Sequence, residues 1–272
     1  MSRYLDWKKQ ALLMGAGQWY LPPTVSAADL LAAYQFKGVA SENFAKQDLS
    51  GNGRNLTKGS QEYNGTSHTP TWSMSSGYTF DAVYQGKSGY LDNAQLDTLD
   101  IKAAVVRYSG LTQNNRGYLI NAGGSSGNAR LYAATSAAVY SSYSDGSYTG
   151  SVSNWGGPGF ASSAWSSYTW VGTIKYTTTF KQNCIVGANF SDSQALYLDG
   201  SLATTTTSSS GKTFTDIGQG DTRGYTFSDQ HRTWADLGND THAGKTLVAA
   251  VFFSKALTAD EHAYIAARMA NI

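Results

Sequence analysis

Apolar residues along this chain fall into short runs punctuated by Gly, Asn, Asp and Ser, the pattern of strands joined by turns. The first is LLAAYQF, Leu30 to Phe36. Later ones are SGYLDN (88–93), IKAAVVRYSG (101–110), RGYLINAGG (116–124), ARLYAATSAAVY (129–140), TWVGTIKYTTTF (169–180), CIVGANF (184–190), QALYLDG (194–200) and TLVAAVFFS (246–254). Within QALYLDG, Ala195, Tyr197 and Asp199 alternate with Leu196 and Leu198, which predicts a strand buried on one side. Asp199-Gly200 is a two-residue turn signal.

Helical spacing shows only at the two ends. Tyr4, Trp7, Ala11 and Met14 share one face of a short N-terminal segment that Gly15, Gly17 and Pro22-Pro23 interrupt. At the other end, Thr258 and Glu261 have capping-box spacing, and Ile265 and Met269 stand four apart, predicting a short C-terminal helix. Two polar stretches, Ser136 to Tyr168 and Ala203 to Thr213, read as elaborated loops. The expected organisation is an N-terminal arm over residues 1–25, for attachment or oligomerisation, and one β-domain over 26–272.

Composition agrees with an all-β chain: charged residues are only 14% of it, against 29 glycines and 18 tyrosines. The formal net charge is +1, and no basic run could track a phosphate backbone, so nucleic acid is not an expected partner. Cys184 is the single cysteine and reads as a buried apolar residue, which excludes an internal disulfide. The N-terminal apolar stretch is short and broken, so neither an export signal nor a membrane span is expected.

The segment AAYQFKGVASENFAKQDLSGNGRNLT resembles the opening of LamG-like, concanavalin A-like domains, in which an apolar strand leads into a D-x-SGNG-x-N turn. LINAGGSSGNARLYAAT, the LYLDG hairpin at Leu196–Gly200 and the stretch from Ser254 to Glu261 follow in the same order. The resemblance spans roughly residues 30–270 and implies a concanavalin A-like (LamG-type) jelly-roll sandwich. Such domains serve as lectins, adhesion modules, glycan-binding parts of hydrolases and parts of phage virions, so the fold alone does not assign a site.

A retaining glycosidase needs two carboxylates close together, yet the glutamates are Glu42, Glu62 and Glu261, and the last is better explained as a helix cap. GGSSG at Gly123–Gly127 matches a nucleophile-elbow string, but the following NARLYAAT reads as strand rather than helix. Asp48, Ser50 and Asn52 imitate half a calcium loop. Position twelve is Gly59, so an Asx-type turn is expected there and calcium is the alternative. Asp221, Asp229, Asp236 and Asp240 form a second oxygen-rich stretch that could hold a cation, while His231 and His242 are too loosely placed for zinc. No metal or catalytic residue is assigned. Trp72, Trp155, Trp165, Tyr225 and Trp234 stand in Gly/Ser/Asn/Asp-rich surroundings suited to stacking on sugars, and Trp155, Tyr225 and Trp234 are the expected ligand-binding residues.

These observations lead to the expectation of a non-catalytic phage virion protein, a structural, decoration or receptor-binding component whose jelly roll binds glycans. It would be oligomeric in assembly, located in the virion, and joined to other virion proteins through its N-terminal arm, with cell-surface or mucosal glycans as further partners. A free carbohydrate-binding lectin module, extracellular or on a bacterial cell surface, is the alternative, and a polysaccharide hydrolase the second alternative.

Overall fold

The computed structural model describes residues 20–63, 65–81, 90–93, 95–96, 99–110, 116–121, 129–134, 139–141, 152–154, 159–166, 169–176, 181–190, 193–207, 225–226 and 245–272. The strands of the first half are β1 (Leu30–Gln35), β2 (Thr57–Gly59), β3 (Gln61–Tyr63), β4 (Thr66–His68), β5 (Thr71–Ser73), β6 (Gly77–Phe80), β7 (Tyr90–Asn93), β8 (Ala103–Ser109) and β9 (Arg116–Asn121). There follow β10 (Ala129–Ala134), β11 (Val139–Ser141), β12 (Val152–Asn154), β13 (Gly159–Ser166), β14 (Thr169–Tyr176), β15 (Cys184–Asn189), β16 (Ser193–Leu198), β17 (Ser201–Thr207), β18 (Tyr225–Thr226) and β19 (Lys245–Phe253). Among the described residues the helices are a 3-10 turn (Ala27–Asp29), the single-turn α1 (Glu42–Ala45) and the C-terminal α2 (Ala259–Met269).

Two antiparallel sheets carry the fold. One is eight-stranded, in the order β17-β16-β15-β8-β19-β6-β5 with β1 also paired to β19, and the other is seven-stranded, in the order β14-β13-β10-β9-β18-β7-β2. β8 occupies one edge of β19, and the other edge is shared. Lys245–Leu247 pair with β6, and Ala249–Phe253 pair with β1, so the first and last strands of the described chain are neighbours. Where β6 gives way to β1, the N–H groups of Phe36 and Lys37 both donate to the Val248 carbonyl (2.9 and 3.3 Å).

The core lies in two layers, one on each face of the eight-stranded sheet. Between the sheets, Tyr34, Phe36, Val106, Tyr108, Val186, Leu196 and Phe252 cluster with Leu91 of the seven-stranded sheet and with Leu56 and Leu96. Behind the eight-stranded sheet, Val105, Ile185, Val251 and Phe253 pack under Ile265, Ala266 and Met269 of α2 and under Tyr20 and Val25. A strand covered on both faces gains from apolar residues at every position, which is why CIVGAN and KTLVAAVFF are buried throughout instead of alternating. The same covering corrects the one-sided expectation for QALYLDG: Leu196 faces the inter-sheet core, yet Tyr197 is 5% exposed because α2 roofs it.

The polar stretches also depart from expectation. Part of Ser136–Tyr168 is strand (β11, β12 and β13), and Ala203–Thr207 continues β17, because Ser, Thr and Gly can occupy a ladder whose hydrogen bonds are made by the backbone.

The loop after β1 is closed by its own side chains. The Asp48 carboxylate accepts the N–H groups of Ala33 (3.1 Å), Ser50 (3.0 Å) and Arg54 (3.1 Å), and Asn52 donates to the carbonyls of Leu30 and Leu31. This is the expected Asx-type turn, with both Asp48 oxygens engaged by backbone donors. Asp199 and Gly200 close the β16–β17 hairpin at φ 51 and 84, as the turn signal predicts.

Candidate functional site

Directly opposite residues in an antiparallel ladder lie on the same face of the sheet, and neighbours along a strand alternate between faces. Leu91 is fully buried in the inter-sheet core and so identifies the inner face of the seven-stranded sheet. Following the pairings from β7 across to β14 assigns each described position to one face or the other. On the Leu91 face fall Ile120, Leu131, Ala133, Phe160, Ala164 and Val171, together with Lys58, Asn93, Ser162, Thr173, Lys175 and Tyr225. On the opposite, outer face fall Tyr90, Tyr118, Tyr132, Trp165, Trp170 and Tyr176.

The outer-face positions run in rows across the strands. One continuous row is Gly172, Ser163, Arg130, Asn121, Thr226, Asp92 and Thr57, crossing every strand of the sheet. Beside it, Tyr132 stands opposite Tyr118 and, continuing outward, Tyr132 opposite Ala161 and Ala161 opposite Ile174. On the other side, Trp165 stands opposite Trp170 in the β13–β14 hairpin. The register of β10 against β9 shifts between Leu131 and Tyr132, so that Leu119 has no opposite residue. This bulge keeps Tyr118 and Asn121 on one face although they are three residues apart.

A row of amide, hydroxyl and charged residues bordered by aromatic positions is the residue chemistry that reads sugar hydroxyls and stacks on pyranose faces. The tyrosines at 90 and 132 alternate with Leu91 and Leu131, so the signal was present in SGYLDN and ARLYAA, whereas alternation in RGYLIN would place Tyr118 with Ile120 and only the bulge brings it to the other face. These aromatics stand on strands, whereas the aromatics expected to bind ligand were those in loop-like surroundings.

Of the residues expected to bind ligand, Trp155 and Trp234 lie outside the described residues. Tyr225 begins β18, directly opposite Asn93 and therefore on the Leu91 face. Trp165 is on the outer face. Trp72 packs against the inter-sheet core, and its indole N–H donates to the Phe36 carbonyl (2.7 Å). Asp221, Asp229, Asp236 and Asp240 also lie outside the described residues, and among those described no group of three or more His, Cys, Asp or Glu side chains is placed to hold a metal.

The other polar cluster of the molecule sits behind the eight-stranded sheet, under α2. Asn189, at the end of β15, donates through Nδ2 to the Leu257 carbonyl (2.8 Å), and its Oδ1 accepts the Leu257 N–H (3.0 Å). The same Oδ1 is 3.1 Å from His262 Nε2. An oxygen already serving as acceptor fixes the tautomer: Nε2 carries the proton and donates. The ring stacks on Tyr197 (centroids 3.7 Å apart, interplanar angle 18°) and lies over Gly187, where a Cβ would come 2.5 Å from Nδ1. Burial holds the His262 imidazole down at about 3, against a slight opposing pull from Glu261. Beside it, burial would raise the Glu261 carboxyl, but the Thr258 N–H, the Thr24 hydroxyl (2.9 Å) and Lys255 (3.1 Å) together hold it below the usual carboxylate range. This cluster has the properties of a clamp: its donors and acceptors join α2, β15 and the chain entering at Thr24.

No protein-family model matches the chain, and neither does any curated protein. Solved structures do match. One is botulinum neurotoxin type C, whose cell entry depends on interaction with two ganglioside molecules (TM-score 0.52, 8% identity, over 89% of this chain and 52% of that one). A second is the binding domain of botulinum neurotoxin serotype D/C VPI 5993 (TM-score 0.51, 9% identity, over 89% and 53%). A third is the binding domain of botulinum neurotoxin DC in complex with SialylT (TM-score 0.52, 8% identity, over 90% and 52%). The chain spans about half the length of each of these structures, and at such identity the likeness is one of fold.

Proposed function

We propose that this protein is a non-catalytic carbohydrate-binding module of the concanavalin A-like jelly-roll type, which takes its ligand on the outer face of the seven-stranded sheet. The observation that carries this reading is the grouping of aromatic positions on one face of that sheet. Tyr90, Tyr118, Tyr132, Trp165 and Trp170 share the face opposite Leu91 with Asp92, Asn121 and Arg130, whereas the Leu91 face mixes Ile120, Leu131 and Val171 with polar positions such as Ser162 and Lys175. An outer face needed only for solubility has no use for so many aromatics. The pairing of the first strand with the last, and the tight LYLDG hairpin, support the jelly-roll part. The ganglioside interaction named for one structural neighbour and the SialylT complex of another support a glycan as ligand.

The non-catalytic part is supported by two of the three glutamates, whose carboxylates have structural partners. Glu42 accepts from Lys58 (2.7 Å) and from the Tyr78 hydroxyl (3.2 Å), and Glu261 closes the cap of α2. Display on a virion or cell surface belongs to the same proposal, with the part of residues 1–25 that precedes Tyr20 as the attachment segment. Tyr20, Thr24 and Val25 pack behind the eight-stranded sheet, opposite the aromatic face, so a tether entering there presents that face outward.

The test is a glycan array probed with the full chain beside Tyr118→Ala and Tyr132→Ala variants. Retained oligosaccharides, with affinity falling about tenfold or more in either variant, are expected. Absence of any retained glycan, or binding indifferent to both substitutions, contradicts the proposal.

A further inference from the structure

Behind the eight-stranded sheet, α2 and the segment entering at Tyr20 form a cover. Its apolar residues, Tyr20, Val25, Ile265, Ala266 and Met269, lie over Val105, Ile185, Val251 and Phe253. The inter-sheet core on the other face of the same strands is a separate cluster, held by contacts such as Tyr34 with Phe36 and Phe36 with Tyr78. Neither that core nor the strand ladders pass through α2, so the cover can come away while they stay closed.

The polar bonds that fasten the cover run through His262 and Glu261. His262 is buried, and its Nε2–H is given to Asn189. A second proton goes to Nδ1, which has no hydrogen-bond partner among the described residues. Gly187 lies beneath that atom, so close that a Cβ there would come within 2.5 Å of it, and no water fits between them. Among the described residues, the groups facing the ring offer it no uncommitted acceptor. Tyr197 of β16 stacks on it, β15 presents Gly187 and Asn189, and the Glu261 carboxylate of α2 is already bonded to Thr24, Lys255 and Thr258. Elsewhere along the helix, Arg107 of β8 donates to the Met269 carbonyl, and Asp199, in the hairpin beneath α2, is paired with Lys181 (2.8 Å). A cation at His262 is therefore solvated only when α2 lifts from the sheet. Lifting α2 also breaks the Asn189–Leu257 bonds and the Glu261–Thr24 bond, so the Tyr20–Val25 segment loses its tie to the helix.

We propose that α2 and the Tyr20–Val25 segment are an acid-released cover: on protonation of His262 they detach together and bare Val105, Ile185, Val251 and Phe253, while the inter-sheet core stays closed. This device is independent of the glycan reading, which concerns the other sheet. The freed ring takes its proton near the ordinary histidine value of 6.5, and the docked ring only at about 3. Between those values each pH unit of acidification raises the opened population about tenfold.

The experiment is hydrogen exchange of the full chain across that pH range, read as protection factors, beside the reactivity of Cys184 towards a disulfide reagent. Cys184 is buried on the inter-sheet side and reports on that core. The Ile265 and Ala266 amides are expected to lose protection about tenfold per pH unit, reaching free exchange while the Val106 and Val186 amides stay protected and Cys184 stays unreactive. His262→Gln should flatten that dependence by about one proton. Helix and strands losing protection together, a comparison that requires no variant, would mean that acid unfolds the whole sandwich and overturns the inference. Protection of α2 that persists down to about 3, or a slope unchanged in His262→Gln, overturns it as well.

Discussion

His262 is held neutral in a site that has no room to accommodate a charge. Its Nε2–H is committed to Asn189, its face to Tyr197, and its Nδ1 side to the bare backbone of Gly187. In the unfolded chain a histidine takes up a proton near 6.5, whereas here it does so at about 3. Between those values unfolding binds a proton, so stability falls as pH drops through that window, by about 1.4 kcal/mol per pH unit and about 4–5 kcal/mol in all. Glu261 acts in the same direction: its depressed carboxyl stabilises the fold above the unfolded value, and that contribution is lost as pH falls through the folded one. Urea unfolding at a series of pH values should therefore show a steep loss below 6.5, and His262→Gln should flatten the slope by about one proton. An unchanged slope in that variant would mean that His262 is not the group responsible. Little of this could be read from the sequence. CIVGANF displays a glycine inside a strand, which signals a close approach, but only the docked helix shows that the approaching group is a histidine.

At the scale of elements, local chemistry was legible wherever a short-range rule decides the outcome. The capping box forms as its spacing predicts, with the Thr258 hydroxyl accepting the Glu261 N–H (3.3 Å) and the Glu261 carboxylate accepting the Thr258 N–H (2.7 Å). Thr258→Ala should lower stability by about 1 kcal/mol, whereas Thr258→Asp should recover most of it. Thermal or denaturant unfolding checks both, and equal stability of wild type and alanine variant would show that packing against Ile185 and Phe253 alone seats α2. The apolar strands β1, β8, β15 and β19 were likewise visible. The short strands β2 to β5 were not, because polar residues on edge strands have no periodicity to betray them. GFASSAWS shows no strand signal for a related reason: small residues suit a ladder only when neighbouring strands supply the hydrogen bonds.

For the molecule as a whole, the two faces of the sandwich have different work. The eight-stranded sheet is buried on both sides, roofed by α2 and the segment entering at Tyr20, while the seven-stranded sheet collects aromatic and polar positions on its outer face. The alternation of β7 and β10 was readable in advance: Tyr90 against Leu91, Tyr132 against Leu131. Which strands lie side by side was not, since β18 enters between β7 and β9 from more than a hundred residues along the chain. The candidate site exists only in that assembled register. Its most direct test is residue-resolved mapping, by NMR shift perturbation or hydroxyl-radical footprinting, of the full chain with an oligosaccharide it retains. Perturbation or protection concentrated at Tyr118, Asn121, Arg130 and Tyr132, with none at α2, is the predicted result. Changes confined to Trp155 and Trp234, or to the α2 side, would contradict the assignment of the outer face as the binding surface.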